Sequence, residues 1–138
     1  MTGQPVPQGD YVPARRHRDL IYTSGMTPRR DGVLLFHGPV RKDQPLDDWR
    51  AAVRLACANA LTAARGMLAE GETITAILGL TVFICAEAGF EQHAKLADFA
   101  SAYLREELGG AGIGTRAAVG VATLPGNAPV EIQLVATV

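Results

Sequence analysis

The chain has 138 residues and a mass of 14.6 kDa, which suits one domain that buries roughly two thirds of the surface exposed by its unfolded chain. Its 13 Lys and Arg residues against 14 Asp and Glu residues leave a formal net charge of -1, which disfavours nucleic acid because nucleic-acid binding usually requires a basic face. The N-terminus has no apolar stretch and no run of about 18 apolar residues occurs, so we expect a cytoplasmic protein with no signal peptide and no membrane span.

The N-terminal part of the chain predicts an irregular segment followed by two strands. Residues 1–10 are rich in Pro, Gly and Gln, which is typical of irregular structure. The basic run at 15–18 is interpreted as a solvated loop. Leu20–Thr23 is rich in strand-forming residues, and the Asp31-Gly32 pair marks a hairpin turn that leads into a second strand at 33–36.

Two segments have helical periodicity. From Pro45 to Ala69, apolar residues recur at spacings of three and four, and Asp47 and Asp48 are favourably placed at the N-terminal end. The alanine content of this segment predicts close packing on a sheet, because small side chains let the two backbones approach. A second helix is predicted from about Phe90 to Leu108, and the glycine-rich run 109–114 ends it.

Alternating apolar and polar residues predict the remaining strands. In residues 73–86 the even-numbered side chains from Ile74 to Ile84 are expected to share one face. Val119 and Val121 belong to a further strand, and the last strand covers 130–138. The predicted order is β-β-α-β-α-β-β, an α+β fold in which two helices cover one face of a mixed sheet. The other face stays half apolar, so we expect an oligomer that buries it.

Arg116 and Glu131 stand out because the segments that contain them are otherwise almost uncharged. An ionised side chain in or beside a core is costly unless it is paired, so both are candidate functional residues. If their strands form a simple hairpin turning at Gly126-Asn127, the two side chains lie roughly 20 Å apart at about 3.3 Å per residue. They can then share a site only through a different connection or across a subunit interface, and we favour the interface.

The cysteines and histidines do not suggest a metal centre. Cys57 and Cys85 lie in apolar surroundings without CxxC spacing and are interpreted as reduced core thiols. His17, His37 and His93 are scattered without paired spacing, and we assign them to loops and exposed surface. We expect neither a metal nor an organic cofactor.

Several short motifs follow one another at spacings typical of a known family. They are Tyr11, Ile21-Tyr22-Thr23-Ser24-Gly25, Asn59-Ala60-Leu61, Thr81-Val82-Phe83, Thr115-Arg116 through Val121, Leu124-Pro125 and Val130-Glu131-Ile132. In this order they resemble the RidA family, also known as YjgF/YER057c/UK114 and once labelled endoribonuclease L-PSP. The resemblance implies a single RidA-like domain over 11–138, with a chorismate-mutase-like fold, assembled as a homotrimer with ligand clefts between subunits.

The resemblance also implies roles for individual residues. Arg116 matches the arginine that binds the substrate carboxylate, a role that suits the planar fork of donors in a guanidinium. Glu131 matches the acid proposed to position the hydrolytic water, with a pKa that burial would raise and a nearby arginine would lower. Tyr11, Ser24 and Gly25 match pocket residues that wall the cleft and offer hydrogen-bond donors. The alternative for Arg116 is a salt bridge with Glu131 or a surface charge.

The chain departs from the family pattern at three positions, which places it in a divergent subgroup. Met26 replaces a glutamine, and Ala118 replaces a cysteine near the substrate site, so no cysteine nucleophile is available there. Asp98 takes the place of an asparagine on the second helix and either alters the preference for anionic substrates or faces solvent. Asn59 is interpreted as a structural tie between helix and loop.

The resemblance implies an enzyme that hydrolytically deaminates small reactive enamines and imines of the 2-aminoacrylate type, giving 2-oxo acids and ammonia. One alternative is a pathway-specific deaminase or hydrolase acting on an aminomuconate-like compound. Another is a non-catalytic, chaperone-like trimer that binds small carboxylates. The ribonuclease activity in the older family label is disfavoured by the balanced charge and the absence of paired histidines.

Overall fold

The computed structural model describes residues 3–138, so residues 1 and 2 of the predicted irregular segment lie outside the described residues. The strands are β1 (Ala14–His17), β2 (Leu20–Thr23), β3 (Arg29–Arg30), β4 (Val33–Leu34), β5 (Ala76–Cys85), β6 (Thr115–Val121) and β7 (Val130–Thr137). The helices are α1 (Arg50–Arg65) and α2 (His93–Leu108), with short 3₁₀ turns at Leu46–Trp49, Gly109–Gly112 and Pro125–Asn127. Neither α-helix has the length and apolar character needed to cross a membrane.

Five strands form the main sheet in the order β1-β2-β7-β5-β6. Only β5 and β6 run parallel, and the other neighbouring pairs are antiparallel. Helix α1 packs on β7 and β2, whereas α2 packs on β6 and β5. The prediction of an α+β fold with two helices on one face of a mixed sheet is therefore confirmed.

The core lies between this sheet and the two helices. Alternate residues of β7 point into it, and all are at most 2% exposed: Val130, Ile132, Leu134 and Ala136. The inward face of α1 is lined by alanines that are at most 1% exposed: Ala52, Ala56, Ala60, Ala63 and Ala64. These small side chains pack α1 on the sheet, as predicted from the alanine content of the segment.

The interpretation of residues 15–18 as a solvated loop is wrong, because the run forms most of strand β1. This strand pairs with β2, and the reversal between them lies at Arg18, whose φ is +57°. The Arg16 guanidinium forms an ion pair with Glu72, which holds the pKa of that carboxyl down at about 2. An edge strand tolerates such charges because one of its sides faces solvent.

The second predicted strand, at 33–36, is shorter than expected and lies outside the main sheet. Only Val33 and Leu34 are paired, and they form a separate two-stranded ribbon with β3. The predicted turn at Asp31-Gly32 is confirmed, since both residues have positive φ, at 53° and 80°. The first two strands of the sheet are therefore β1 and β2.

The prediction that the even-numbered side chains of 73–86 share one face is wrong at Leu78. The register of β5 against β7 shifts between Ile77 and Gly79, so that Ile77 is buried and Leu78 is 44% exposed. Such a bulge inserts one residue and changes which side chains face the core. Beyond it, Leu80, Val82 and Ile84 share the buried face as predicted.

The simple hairpin considered for the last two strands does not form, because β5 lies between β6 and β7. After β5 the chain crosses over through α2 and returns as β6, parallel to β5. Parallel neighbours need a long crossover of this kind. The connection that contains Pro125–Asn127 then carries the chain across to the other side of β5.

The two cysteines are buried and free, which confirms their interpretation as core thiols. Burial raises the pKa of the Cys57 thiol to about 12. The assignment of His93 to an exposed loop is wrong. It begins α2, is half-buried, and packs its ring edge-on against Phe90 and closely against Gly120.

Candidate functional site

Glu131 lies near the start of β7 and faces away from the helices. Its chain neighbours Val130 and Ile132 both point into the core, so the alternation of the strand turns Glu131 to the open face, beside Phe83 of β5. The carboxylate is half-buried, and burial alone raises its pKa above the ordinary value of a glutamate. Within residues 3–138 no arginine, lysine or histidine forms an ion pair with it.

A bulge at the end of β2 brings Gly25 against this carboxylate. Tyr22 pairs with Val135, and Met26 pairs with Ile132. The three residues 23–25 therefore lie opposite only two residues of β7, 133 and 134. A Cβ atom added to Gly25 would lie 2.7 Å from Cδ of Glu131, closer than real contacts allow. Glycine at this position therefore lets the carboxylate lie close to the backbone, and a larger residue would push the carboxylate away.

Ser24 and Tyr11 lie near Gly25. The Ser24 hydroxyl donates a 2.6 Å hydrogen bond to the carbonyl of Val12, which ties the bulge to the segment that carries Tyr11. The Tyr11 phenol oxygen accepts a 3.0 Å hydrogen bond from the backbone N–H of Gln8, and its own proton stays available for donation. Tyr11 and Gly25 line a cavity of about 90 Å³. We call Tyr11, Ser24, Gly25 and Glu131 the glutamate cluster.

Arg116 lies on the helix-covered side of the sheet. It pairs with Leu80, a core residue of β5, and its side chain crosses to the outer face of α2. Its Nη1 donates to Asp98 Oδ1 at 2.7 Å and to Ser101 Oγ at 3.0 Å. Its Nη2 donates to the carbonyl of Ala94 at 3.2 Å. The guanidinium, whose side chain is 23% exposed, is thus paired with Asp98 and not with Glu131.

Ala118 lies two residues further along β6, on the same side as Arg116, and packs half-buried against the core. We call Asp98, Ser101, Arg116 and Ala118 the arginine cluster. Sequence reasoning missed Ser101, because a polar stripe on a helix is usually a solvated face. The spacing of Ala94, Asp98 and Ser101 at i, i+4 and i+7 could have revealed that all three face one partner.

The two clusters do not meet within one chain. Leu80 pairs with Arg116 and Phe83 with Glu131, so the two charged residues are two strands and three residues apart, about 14 Å between backbones at ordinary sheet spacings. Their side chains also point to opposite faces of the sheet. Among residues 3–138, no three His, Cys, Asp or Glu side chains are grouped closely enough to hold a metal ion.

Comparison with known proteins places this arrangement in a family. The family model described as Endoribonuclease L-PSP matches residues 1–138, whereas no curated protein matches the chain. A protein of unknown function from Agrobacterium tumefaciens, Atu1372, is 30% identical, with 99% of this chain and 87% of that chain covered and a TM-score of 0.86. A putative endoribonuclease from Shewanella oneidensis MR-1 is 28% identical, with 98% and 89% covered and a TM-score of 0.89.

The fold is also shared with the YjgF gene product of Escherichia coli. That structure is 23% identical, covers 98% of this chain and 93% of its own, and superposes with a TM-score of 0.71. The match of the family model over the whole chain agrees with the ordered motifs from Tyr11 to Glu131. The chain therefore belongs to the endoribonuclease L-PSP family, the RidA or YjgF family that its sequence resembles.

Proposed function

We propose that the protein is a hydrolytic deaminase of small enamines and imines that carry a carboxylate, of the 2-aminoacrylate type. The observation that carries this proposal is the carboxylate of Glu131. It is half-buried against Gly25, has no ion-pair partner among the described residues, and has a pKa raised by burial. A carboxylate with a raised pKa is suited to accept a proton from water near neutral pH.

In the proposed reaction Arg116 binds the substrate carboxylate. A guanidinium can hold a carboxylate through two parallel hydrogen bonds and stays charged when it is partly buried. In the free chain Nη1 of the Arg116 guanidinium donates a hydrogen bond to Asp98. The substrate carboxylate therefore competes with Asp98, whose side chain is 68% exposed and can turn into solvent.

Glu131 then acts on water at the imine carbon. The carboxylate accepts a proton as the water oxygen bonds to that carbon, and it returns this proton to the nitrogen to give a carbinolamine. The hydroxyl proton of the carbinolamine then moves to the nitrogen by way of the carboxylate, the C–N bond breaks to release ammonia, and the C–O bond becomes a carbonyl. One water is consumed and a 2-oxo acid is released. Imines already hydrolyse in water, so positioning and electrostatics need to lower only a modest barrier.

The reaction needs both clusters at one substrate, and we propose that assembly into a homotrimer brings them together. The open face of the sheet carries apolar side chains, with Tyr22 53% exposed and Val119 40% exposed beside Phe83 and Val135. Burial of such a face in an oligomer would be favourable. The arginine cluster of one subunit would then face the glutamate cluster of the next across a cleft.

The test is to generate imines from several amino acids with an amino-acid oxidase and to measure the release of 2-oxo acid. We expect acceleration by the wild type and by Arg41→Ala, which changes an exposed arginine outside both clusters, but not by Arg116→Ala or Glu131→Ala. If the wild type never accelerates release yet still binds a small carboxylate, the result would favour the alternative of a non-catalytic carboxylate-binding protein. RNA cleavage that survives Glu131→Ala would instead support the older family label.

A further inference from the structure

A second arginine lines the groove that holds Arg116. This open groove, about 410 Å³ in volume, is lined by Asp98, Ser101, Ala102, Arg105, Ile113 and Gly114 together with Arg116. Arg105 lies in the last turn of α2. It follows Asp98 by seven residues and Ser101 by four, so all three lie on one face of the helix. The rise from Ser101 to Arg105 is about 6 Å along the helix axis.

Arg105 differs from the other arginines of the two helices. Arg50, Arg54 and Arg65 each form an ion pair with an acidic residue, at distances from 2.5 to 2.9 Å. Within residues 3–138, no acidic side chain pairs with Arg105. The groove thus holds two cations and one anion, an excess of one positive charge on the side where the proposed substrate carboxylate binds.

We propose that Arg105 binds a second acidic group and that the substrates of this protein are dicarboxylic imines or enamines. This inference rests on the proposed function, in which Arg116 holds the first carboxylate. A monocarboxylate gains only the guanidinium that Asp98 already engages. A molecule with a second carboxylate further along the helix also gains an uncommitted guanidinium, which offers a planar fork of donors.

Binding of unreactive probes tests the inference separately from catalysis. The probes are adipate and hexanoate, which have equally long chains but two and one carboxylates, and the measurement is isothermal titration calorimetry. We expect the wild type to bind adipate about two- to fivefold more tightly than hexanoate, the gain typical of one additional ion pair at an exposed site. Arg105→Gln should lose this preference and keep its affinity for hexanoate, and Arg105→Lys should keep part of it because lysine retains the charge but not the fork.

The matched control is Arg41→Gln, which removes one exposed positive charge outside the groove and should keep the full preference for adipate. Equal affinity of the wild type for the two probes would overturn the inference, as would an adipate preference that survives in Arg105→Gln. Melting temperatures of the variants check that Arg105 does not act only by stabilising the C-terminal end of α2.

Kinetics separate the two proposals. If an adipate preference depends on Arg105 but no imine is hydrolysed, the proposed deaminase function fails and the dicarboxylate site stands. If imines are hydrolysed and Arg105→Gln leaves KM unchanged for both dicarboxylic and monocarboxylic substrates, the function stands and the role of Arg105 is wrong. A rise in KM confined to dicarboxylic imines, with kcat unchanged, would support both.

Discussion

Arg116 and Glu131 lie on opposite faces of one sheet, in strands that β5 separates. Arg116 extends to α2, where Asp98 pairs with it, while Glu131 lies against Gly25 on the face without helices. A small substrate cannot contact both groups of the same chain. If both are needed, as we propose, each site must combine residues of two copies.

Mixed oligomers of two inactive variants should therefore regain activity. Arg116→Ala and Glu131→Ala each destroy every site when assembled alone. In trimers refolded from an equal mixture, about a quarter of the sites should combine an intact arginine from one subunit with an intact glutamate from the next. Release of 2-oxo acid should accordingly recover to about a quarter of the wild-type rate.

Each variant denatured and refolded by itself is the control and should stay inactive. A mixture that remains as inactive as its parents, although mass spectrometry shows mixed trimers, would contradict a site shared between subunits.

A charge on the open face of the sheet should prevent assembly. Val119 is 40% exposed in the single chain and lies opposite Phe83, so Val119→Asp would place a carboxylate in the proposed interface. Burial of an unpaired charge is costly, and the variant should remain monomeric in light scattering after size-exclusion chromatography. Val33→Asp changes a 59% exposed valine of the small ribbon and should leave the proposed trimer intact. A trimeric Val119→Asp would show that another surface is used.

Glu131→Gln should stabilise the protein at neutral pH while abolishing deamination. Burial raises the pKa of this carboxyl above 4.5, so the folded state keeps its proton at pH values where the unfolded chain has lost it. The stability that comes from the raised pKa is complete below pH 4.5 and is lost as pH rises through the folded pKa. Glutamine cannot ionise and avoids that loss.

Thermal unfolding from pH 4 to pH 8 measures this effect. The melting temperature of Glu131→Gln should exceed that of the wild type at pH 8, and the difference should shrink toward pH 4. The opposite trend would mean that a cation stabilises the Glu131 carboxylate in the assembled protein.

Gly25→Ala should disturb the glutamate cluster, because its Cβ would lie 2.7 Å from Cδ of Glu131. Either the carboxylate or the bulge must move, and the loss of stability should be small if only the flexible end of the Glu131 side chain moves. Deamination should fall together with stability. Gly110→Ala is the matched control, since nothing lies within 4 Å of a Cβ at that position.

The double variant Gly25→Ala/Glu131→Ala isolates the contact. Removal of the carboxylate clears the space, so the free energy lost in Gly25→Ala should be largely regained in urea unfolding. Strictly additive losses would mean that the backbone of the bulge, and not the carboxylate, requires glycine.

The sequence by itself determined the secondary structure of most of the chain and the chemistry of its candidate residues. The alternation in the last strand predicts which of its side chains are buried. The spacing of alanines predicts the buried face of the first helix in the same way. Regular periodicity predicts such elements well. It fails at Leu78, where one inserted residue changes the face, and at 15–18, where charges on an edge strand resemble a loop.

Only the tertiary structure decided how the candidate residues are grouped. Strand order depends on crossovers between distant segments, so no local pattern could show that β5 lies between β6 and β7. The pairing of Arg116 with Asp98, and the approach of Glu131 to Gly25, follow from that order. The sequence determines the chemistry of each side chain. Contacts between residues far apart in the chain determine which charged groups become neighbours.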